Sequence, residues 1–425
     1  MLRLCAWLAA FAILGASPAG ARTWLVGGPG ADFSEIQAAI DAASDGDVIL
    51  VRPGSYAAFT LSKGVVVRSS TDPFSIQGNV FVTHVSAGLR AGVAGMALQG
   101  ALHVLDSAGE IALGDVSIVA DDDTGLEIRS CVNVSVDELS AVPDGVSDRS
   151  YEAGHQVLVT ASRVRFSAYE VRGAEGRYYP TDAGARGGSA FWIEDSVAVL
   201  ARGTAIGGRG GLGGYFGWIG ALPGGDGGEG VRSIDSGVVV LGSASNRLEG
   251  GRGGDGGWDP YSGSRAQGGN GGSGFAGFVG VVSLVELRGG AGGDDGGAPG
   301  DAWWGNVVED HRFPYLDMSN DLHPGGEAGL DLTAVEAGTV LLVASTQGGF
   351  LSLPRADGPP LSAVPGALFL VVSAGTIGAG ATQSYSFSLP SDSLLQGLAF
   401  VLQALQIADS GAVLLANAVT RIIKE

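Results

Sequence analysis

Phe33-Ser-Glu-Ile-Gln-Ala-Ala-Ile-Asp-Ala-Ala-Ser-Asp-Gly-Asp-Val-Ile-Leu-Val-Arg-Pro-Gly-Ser-Tyr56 carries two periodicities in one short stretch. In its first half Ile36, Ala39, Ile40 and Ala43 recur at the spacing of one helical face. Ser34 and Gln37 are placed as a capping pair, and Gly46 as the stop. In its second half Val48-Ile49-Leu50-Val51 is an apolar run of strand length, closed by the turn Pro53-Gly54, and Val65-Val66-Val67 repeats it. A helix this short buries one face, which predicts a lid over the open end of a stack of strands.

Outward from this stretch the short apolar runs continue, at 80–82, 102–105, 116–119, 126–128, 132–136 and 157–159, between Gly, Asp and Ser turns. Brief strands at near-regular spacing suit a coiled solenoid better than a sandwich of long strands. The stretch 33–56 resembles the opening segment of the pectate-lyase-like right-handed parallel β-helix superfamily, which includes lyases, esterases, hydrolases and non-enzymatic surface proteins. The resemblance implies an all-β fold. The expected chain is a right-handed parallel β-helix with a short N-terminal capping helix and glycine-rich loops, followed by a small C-terminal antiparallel β-sandwich. Pectin methylesterases place an acidic residue after the Gly-x-Tyr of this segment, whereas Tyr56 is followed by Ala57-Ala58; that departure argues against an esterase.

The chain holds 74 glycines among 425 residues, and most crowd into a repeat over 160–328. Each copy runs strand, glycine tract, aromatic loop, second tract. The first tracts are 173–176, 207–214, 250–257 and 289–297, and the second are 187–188, 224–228, 268–272 and 325–326. Glycine lets backbones approach closely, so stacked tracts predict an extended polyglycine-like layer. Between the tracts sit Tyr178, Tyr179, Tyr215, Trp218, Trp258, Tyr261, Trp303 and Trp304. Stacking the copies lines these rings along one edge, where they either cover the glycines or grip a sugar face.

Residues 1–21 read as a secretory signal: Arg3, an apolar run, then Ala19-Gly20-Ala21. The expected location is secreted or cell surface. Its removal takes Cys5 and leaves Cys131 as the one cysteine, a buried strand residue. The formal charge of −20 excludes nucleic acid and anionic membrane as partners, and repels acidic polysaccharide at long range. The expected division is a coil over 22–328 and a sandwich over 329–425, since dense Gly-Gly pairs end near Gly329 and longer apolar runs begin. The runs 386–390, 395–404 and 415–419 also resemble a C-terminal module of exported planctomycete-type bacterial proteins.

A polysaccharide lyase needs an acidic cluster to hold calcium against a uronate and a basic group to take a proton. Asp144, Asp148, Glu152 and His155 form the densest titratable stretch, with Arg163 or Arg165 as a base nearby. Asp121-Asp122-Asp123 reads as a calcium loop or as solvated turn. Asp255 and Asp294 stand at the ligand position of a Gly-Gly-x-Gly-x-Asp calcium repeat. The five histidines have no zinc spacing, no tract has a phosphate-loop lysine, and the polygalacturonase signatures are not present as a set. Apart from calcium at these loops, no cofactor is expected.

The preferred reading is a non-catalytic exported or cell-surface protein, structural or adhesive, contacting polysaccharide or cell-surface components. Two others stand beside it: a carbohydrate-active enzyme, a lyase or glycoside hydrolase, and a glycan-binding module using the aromatic loops.

Overall fold

The computed structural model describes residues 22–423 apart from 121–123, 146–152, 179, 218, 243–245, 284, 310–311, 319–321, 346–347, 352–355, 358–360, 364–368, 390 and 392–398. The signal segment 1–21 lies outside the described residues.

The fold is a parallel β-helix followed by antiparallel sheets. Each turn of the coil runs through three faces. In one turn, 102–105 lie on an open face, 110–114 on a covered face and 116–120 on a back face, before a loop returns the chain to the open face at 126. The strands of the coil pair in parallel from turn to turn, as Leu102 with Leu126, Leu126 with Val157, Val157 with Phe191 and Phe191 with Val231.

Two corners are made by single left-handed residues. Between open and covered faces these are His84, Asp106, Ser130, Ala161, Asp195 and Asp235; between covered and back faces they are Gly95, Asp115, Glu138, Ala168 and Arg202. In register, they form two columns. Aspartate recurs there because its short polar side chain tolerates positive φ better than most.

Alternation does the rest. Ile111, Leu113, Val134, Val136, Val164 and Phe166 point inward and are buried, while Glu110, Ser135 and Arg165 point outward on the covered face. Midway along, Phe191 packs edge-on against Phe166 and Tyr169, at 5.1 and 5.2 Å between centroids. The helix Ile36–Ala42 closes the first turn with Ile36, Ala39 and Ile40 buried. Its cap differs from the expectation: Glu35 is the N-cap, without a side-chain hydrogen bond, and the helix ends at Ala43, before Gly46. The backbone turns extended at Ala43, ψ 152°, and a turn at 45–46 leads to the strand that starts at Val48.

Beyond the coil, antiparallel pairing starts at Tyr315–Met318. One sheet holds that strand with Glu327–Thr333 and Thr382–Ser388; the other is built on Gly338–Ser345, Phe369–Ile377, Ala399–Ala408 and Val413–Ile422. Leu316, Leu330, Leu332, Val340, Leu402 and Ala416 fill the space between them. The strand Val413–Ile422 lies over the covered face of the coil. Ser167 Oγ donates to the Ala418 carbonyl at 3.2 Å, Arg202 pairs with Asp317, and Leu241 packs with Phe313, Ala408 and Leu414.

Candidate functional site

The loops from back to open face all leave at one corner, and there the glycine tracts form a second ordered body. Gly207, Gly210 and Gly213 donate to the carbonyls of Glu249, Arg252 and Asp255 in the tract one turn on. Gly208, Gly211 and Gly214 donate to Gly188, Ala185 and Asp182 of the return tract below. Direction thus repeats every three residues, the geometry of an extended threefold helix and not of a β-strand. One line of amide hydrogen bonds crosses every tract: Gly188 to Ala174, Gly208 to Gly188, Gly228 to Gly208, Gly251 to Gly228, Gly272 to Gly251, Gly290 to Gly272 and Gly300 to Gly290.

Glycine is required at these positions because a Cβ on Gly208, Gly211, Gly251 or Gly254 would collide with the carbonyl of the adjoining tract. Every third position has room and carries a side chain. Arg252 Nη2 lies 2.8 Å from both Asp255 Oδ1 and Asp294 Oδ1, and Arg209 lies 3.3 Å from Asp255 Oδ2. Asp255 and Asp294, two of the carboxylates considered for calcium, therefore have guanidinium partners. Among the described residues no group of three or more His, Cys, Asp or Glu is gathered as a metal site.

The fourth copy departs from the expected repeat. Asp295 and Gly296, at φ 69° and 99°, turn the tract back on itself, and its return leg is 297–300 instead of Gly325-Gly326. Trp303 and Trp304 consequently lie in the last strand of the coil, Trp303–Glu309, and not in a loop.

The other rings stand at the outer tips of the bundle. Tyr215-Phe216 pairs with Gly220-Ala221 in a small hairpin, and Trp258 bridges to Arg265 across the next loop. Tyr215 and Tyr261, from neighbouring loops, lie 6.1 Å apart between centroids. Tyr261 is 87% exposed and Trp258 54%, and Tyr178, Phe216 and Ile219 are exposed beside them. These rings project from the glycine layer instead of covering it. Asp259 accepts the Ser262 hydroxyl at 2.7 Å and the Tyr261 N–H at 2.8 Å; both bonds hold its carboxyl below the usual range and fix the tip. Tyr179 and Trp218 lie outside the described residues.

The titratable candidates among the described residues stand on different parts of the coil. Asp144 is exposed where the chain leaves the back face, and Arg163 is exposed at the start of a covered-face strand. His155 stacks on Trp192 at 4.2 Å, beside the open face. Asp148, Glu152, Asp121, Asp122 and Asp123 lie outside the described residues. Arg165 is buried beneath the C-terminal sheets beside Ser135, and burial lowers its pKa to about 10.

Two groupings are absent from the sequence reading. Around His155, Ser189 donates its N–H to Nδ1 at 3.2 Å and its hydroxyl to Glu229 Oε2 at 2.8 Å, while Arg232 lies 4.4 Å from the Trp192 ring. The second is the polar row Arg90, Glu110, Ser135, Asp137 and Arg165 on the covered face. Aligning the apolar runs by their inward positions would have exposed the covered-face row and the pair Trp192 and Arg232, which fill outward slots, whereas His155, Ser189 and Glu229 stand ahead of their strands.

No protein-family model matches the sequence, and no curated protein matches it. Among solved structures, pectate lyase Pel9A is similar over 62% of this chain and 68% of its own, at 13% identity and a TM-score of 0.38. The full-length tailspike protein 2 of Escherichia coli O157:H7 bacteriophage CAB120 is similar over 92% of this chain and 65% of its own, at 11% identity and a TM-score of 0.26.

Proposed function

We propose that this chain is a non-catalytic exported or cell-surface protein whose coil is a rigid support and whose aromatic loop tips grip a neutral polysaccharide. The observation that carries this reading is the set of exposed rings Tyr178, Trp258 and Tyr261, with the half-buried Tyr215 beside Tyr261, held on successive loops by the glycine bundle. Exposed indole and phenol faces suit the apolar faces of sugar rings, and a rigid mount lowers the entropy lost on binding. The charge of −20 favours a neutral polymer over an acidic one.

A lyase would need carboxylates and a guanidinium converging in a groove that a polymer can enter. Glu110, Asp137 and Arg165 on the covered face are buried under the strand Val413–Ile422, and the grouping at His155 brings in one carboxylate, Glu229. No helix among the described residues is long and apolar enough to cross a membrane.

The test is affinity electrophoresis through gels containing neutral or acidic polysaccharides, run beside an assay for unsaturated uronate product with and without calcium. Retardation by a neutral polymer that is lost in the Trp258→Ala, Tyr261→Ala double variant supports the reading. Unsaturated product would replace it with the lyase, and retardation unchanged across the aromatic set would remove the grip.

A further inference from the structure

Arg22 is held at its N–H, its carbonyl and its guanidinium. The N–H donates to Asp47 Oδ1 at 2.8 Å, the carbonyl accepts the Val48 N–H at 2.9 Å, and the guanidinium lies 3.5 Å from the centroid of the Trp24 ring and 3.9 Å from Asp32. Asp47 in turn accepts the Ser44 N–H and the Trp24 indole, both at 2.9 Å. These bonds stand at the opening of the coil, where Thr23–Val26 pairs in parallel with Val48–Val51. Asp47 is only 6% exposed, yet the three donors on its oxygens are two backbone N–H groups and an indole, all neutral in the uncleaved chain. A carboxylate so buried is ordinarily matched by a cation.

We propose that the peptide bond between Ala21 and Arg22 is a processing site, and that the α-ammonium its cleavage creates is the cation of Asp47. Hydrolysis consumes one water. Its oxygen goes to Ala21, which leaves as a carboxylate with the segment 1–21, and both its protons go to the Arg22 nitrogen, which becomes an ammonium. Ala19 and Ala21 flank Gly20 in the small-residue pattern that export peptidases accept, and Arg22 follows directly. Cleavage at this bond leaves the nitrogen where it already meets Asp47 and converts a neutral hydrogen bond into a charge-assisted one, roughly twice as strong. Cleavage at any other bond puts the charge on a different nitrogen. A chain end that would otherwise fray is thereby tied to the first turn of the coil. Only export of the chain is required, whatever its loop tips bind.

The full sequence, expressed in an exporting bacterial host, should yield a protein whose N-terminal sequence begins at Arg22. Released from a cleavable fusion, the chain 22–425 should unfold at a higher urea concentration than the same chain with Ala19-Gly20-Ala21 in front or with an acetyl group on Arg22, both of which keep the N–H and lose the charge. In the Asp47→Asn background the three forms should unfold together. A readout that needs no variant is the reaction of the Arg22 α-amine with an acylating reagent at neutral pH. It should be roughly tenfold slower in the folded chain than in urea, the effect of an amine pKa raised by about one unit. Lys63 and Lys424 carry the other amines, and peptide mapping separates them. An exported chain that begins elsewhere, equal stability of the three forms with Asp47 in place, or an α-amine labelled as fast folded as unfolded would each overturn the proposal.

Discussion

The Cys131 N–H donates to the Ser162 hydroxyl at 3.0 Å, and Cys131 itself stands where the other turns of the coil carry serine. The column runs Ser107, Cys131, Ser162, Ser196, Ser236, each one residue past a left-handed corner. Ser162 N–H donates to Ser196 Oγ and Ser196 N–H to Ser236 Oγ, both at 3.0 Å, while each hydroxyl returns a bond to the carbonyl two residues back. The Cys131 thiol keeps that return bond, to Arg129 O at 3.3 Å. Cys131→Ser should therefore change stability little, whereas Ser162→Ala leaves a buried N–H without its acceptor and should cost about 1–3 kcal/mol in urea unfolding. Burial pushes the thiol pKa up to about 11, so a thiol reagent at neutral pH should label Cys131 only on unfolding. Rapid labelling of the folded chain would contradict the ladder.

The glycine bundle predicts a sharp contrast between glycines. Gly251→Ala drives a methyl group into the Gly208 carbonyl and should destabilise by about 1–3 kcal/mol or more. Gly237→Ala, in a strand with open space around its Cβ position, should be nearly neutral. Equal melting temperatures for the two variants would show that the tracts are not packed backbone to backbone.

Asp47 ties the start of the coil by accepting the N–H groups of Arg22 and Ser44 and the Trp24 indole, at 2.8 to 2.9 Å. Burial opposes its ionisation, but these donors outweigh burial and hold the carboxyl below its usual value. A carboxyl more acidic in the folded chain adds stability above its unfolded pKa of about 3.9, and loses that contribution as pH falls through the folded value. The gap in melting temperature between the native chain and Asp47→Asn should be steady from neutral pH to about 5 and narrow below about 4. A gap as wide at about pH 3 as at neutrality would contradict this, since the unfolded carboxyl is already largely protonated there.

Asn417 and Leu316 exchange two buried hydrogen bonds, side-chain amide to backbone, at 2.7 Å each. Asn417→Asp keeps the acceptor but sets a carboxylate against the Leu316 carbonyl. It should destabilise more than Asn417→Ala at neutral pH, and the order should reverse once the carboxyl is protonated. Identical pH profiles for both variants would argue against the pair.

The coil was legible because each turn repeats a local signal: an apolar run, an Asp or Ser corner, a glycine exit. The helix face was equally readable from Ile36, Ala39 and Ile40, since burial on one side of a helix is a sequence-local property. Its cap was not, because the N-cap Glu35 makes no side-chain hydrogen bond and the C-cap is Ala43, neither of which has a capping signature. Trp303 and Trp304 were misplaced because a tract followed by tryptophans looks like its neighbours; the positive φ of Asp295 and Gly296 that shortens the loop has no periodic signature. The bond from Ser167 to Ala418 joins residues 251 apart in the chain, and no local pattern carries such a contact.

The claim on which the candidate site rests is that the glycine tracts form an ordered, hydrogen-bonded body. Hydrogen–deuterium exchange of peptides covering 207–214 and 250–257 measures it directly. The amides of Gly208, Gly211, Gly251 and Gly254 should exchange as slowly as those of the coil strand Val197–Ile206. Complete exchange of both tracts within seconds, with that strand still protected, would contradict the ordered bundle and leave the aromatic tips without a mount.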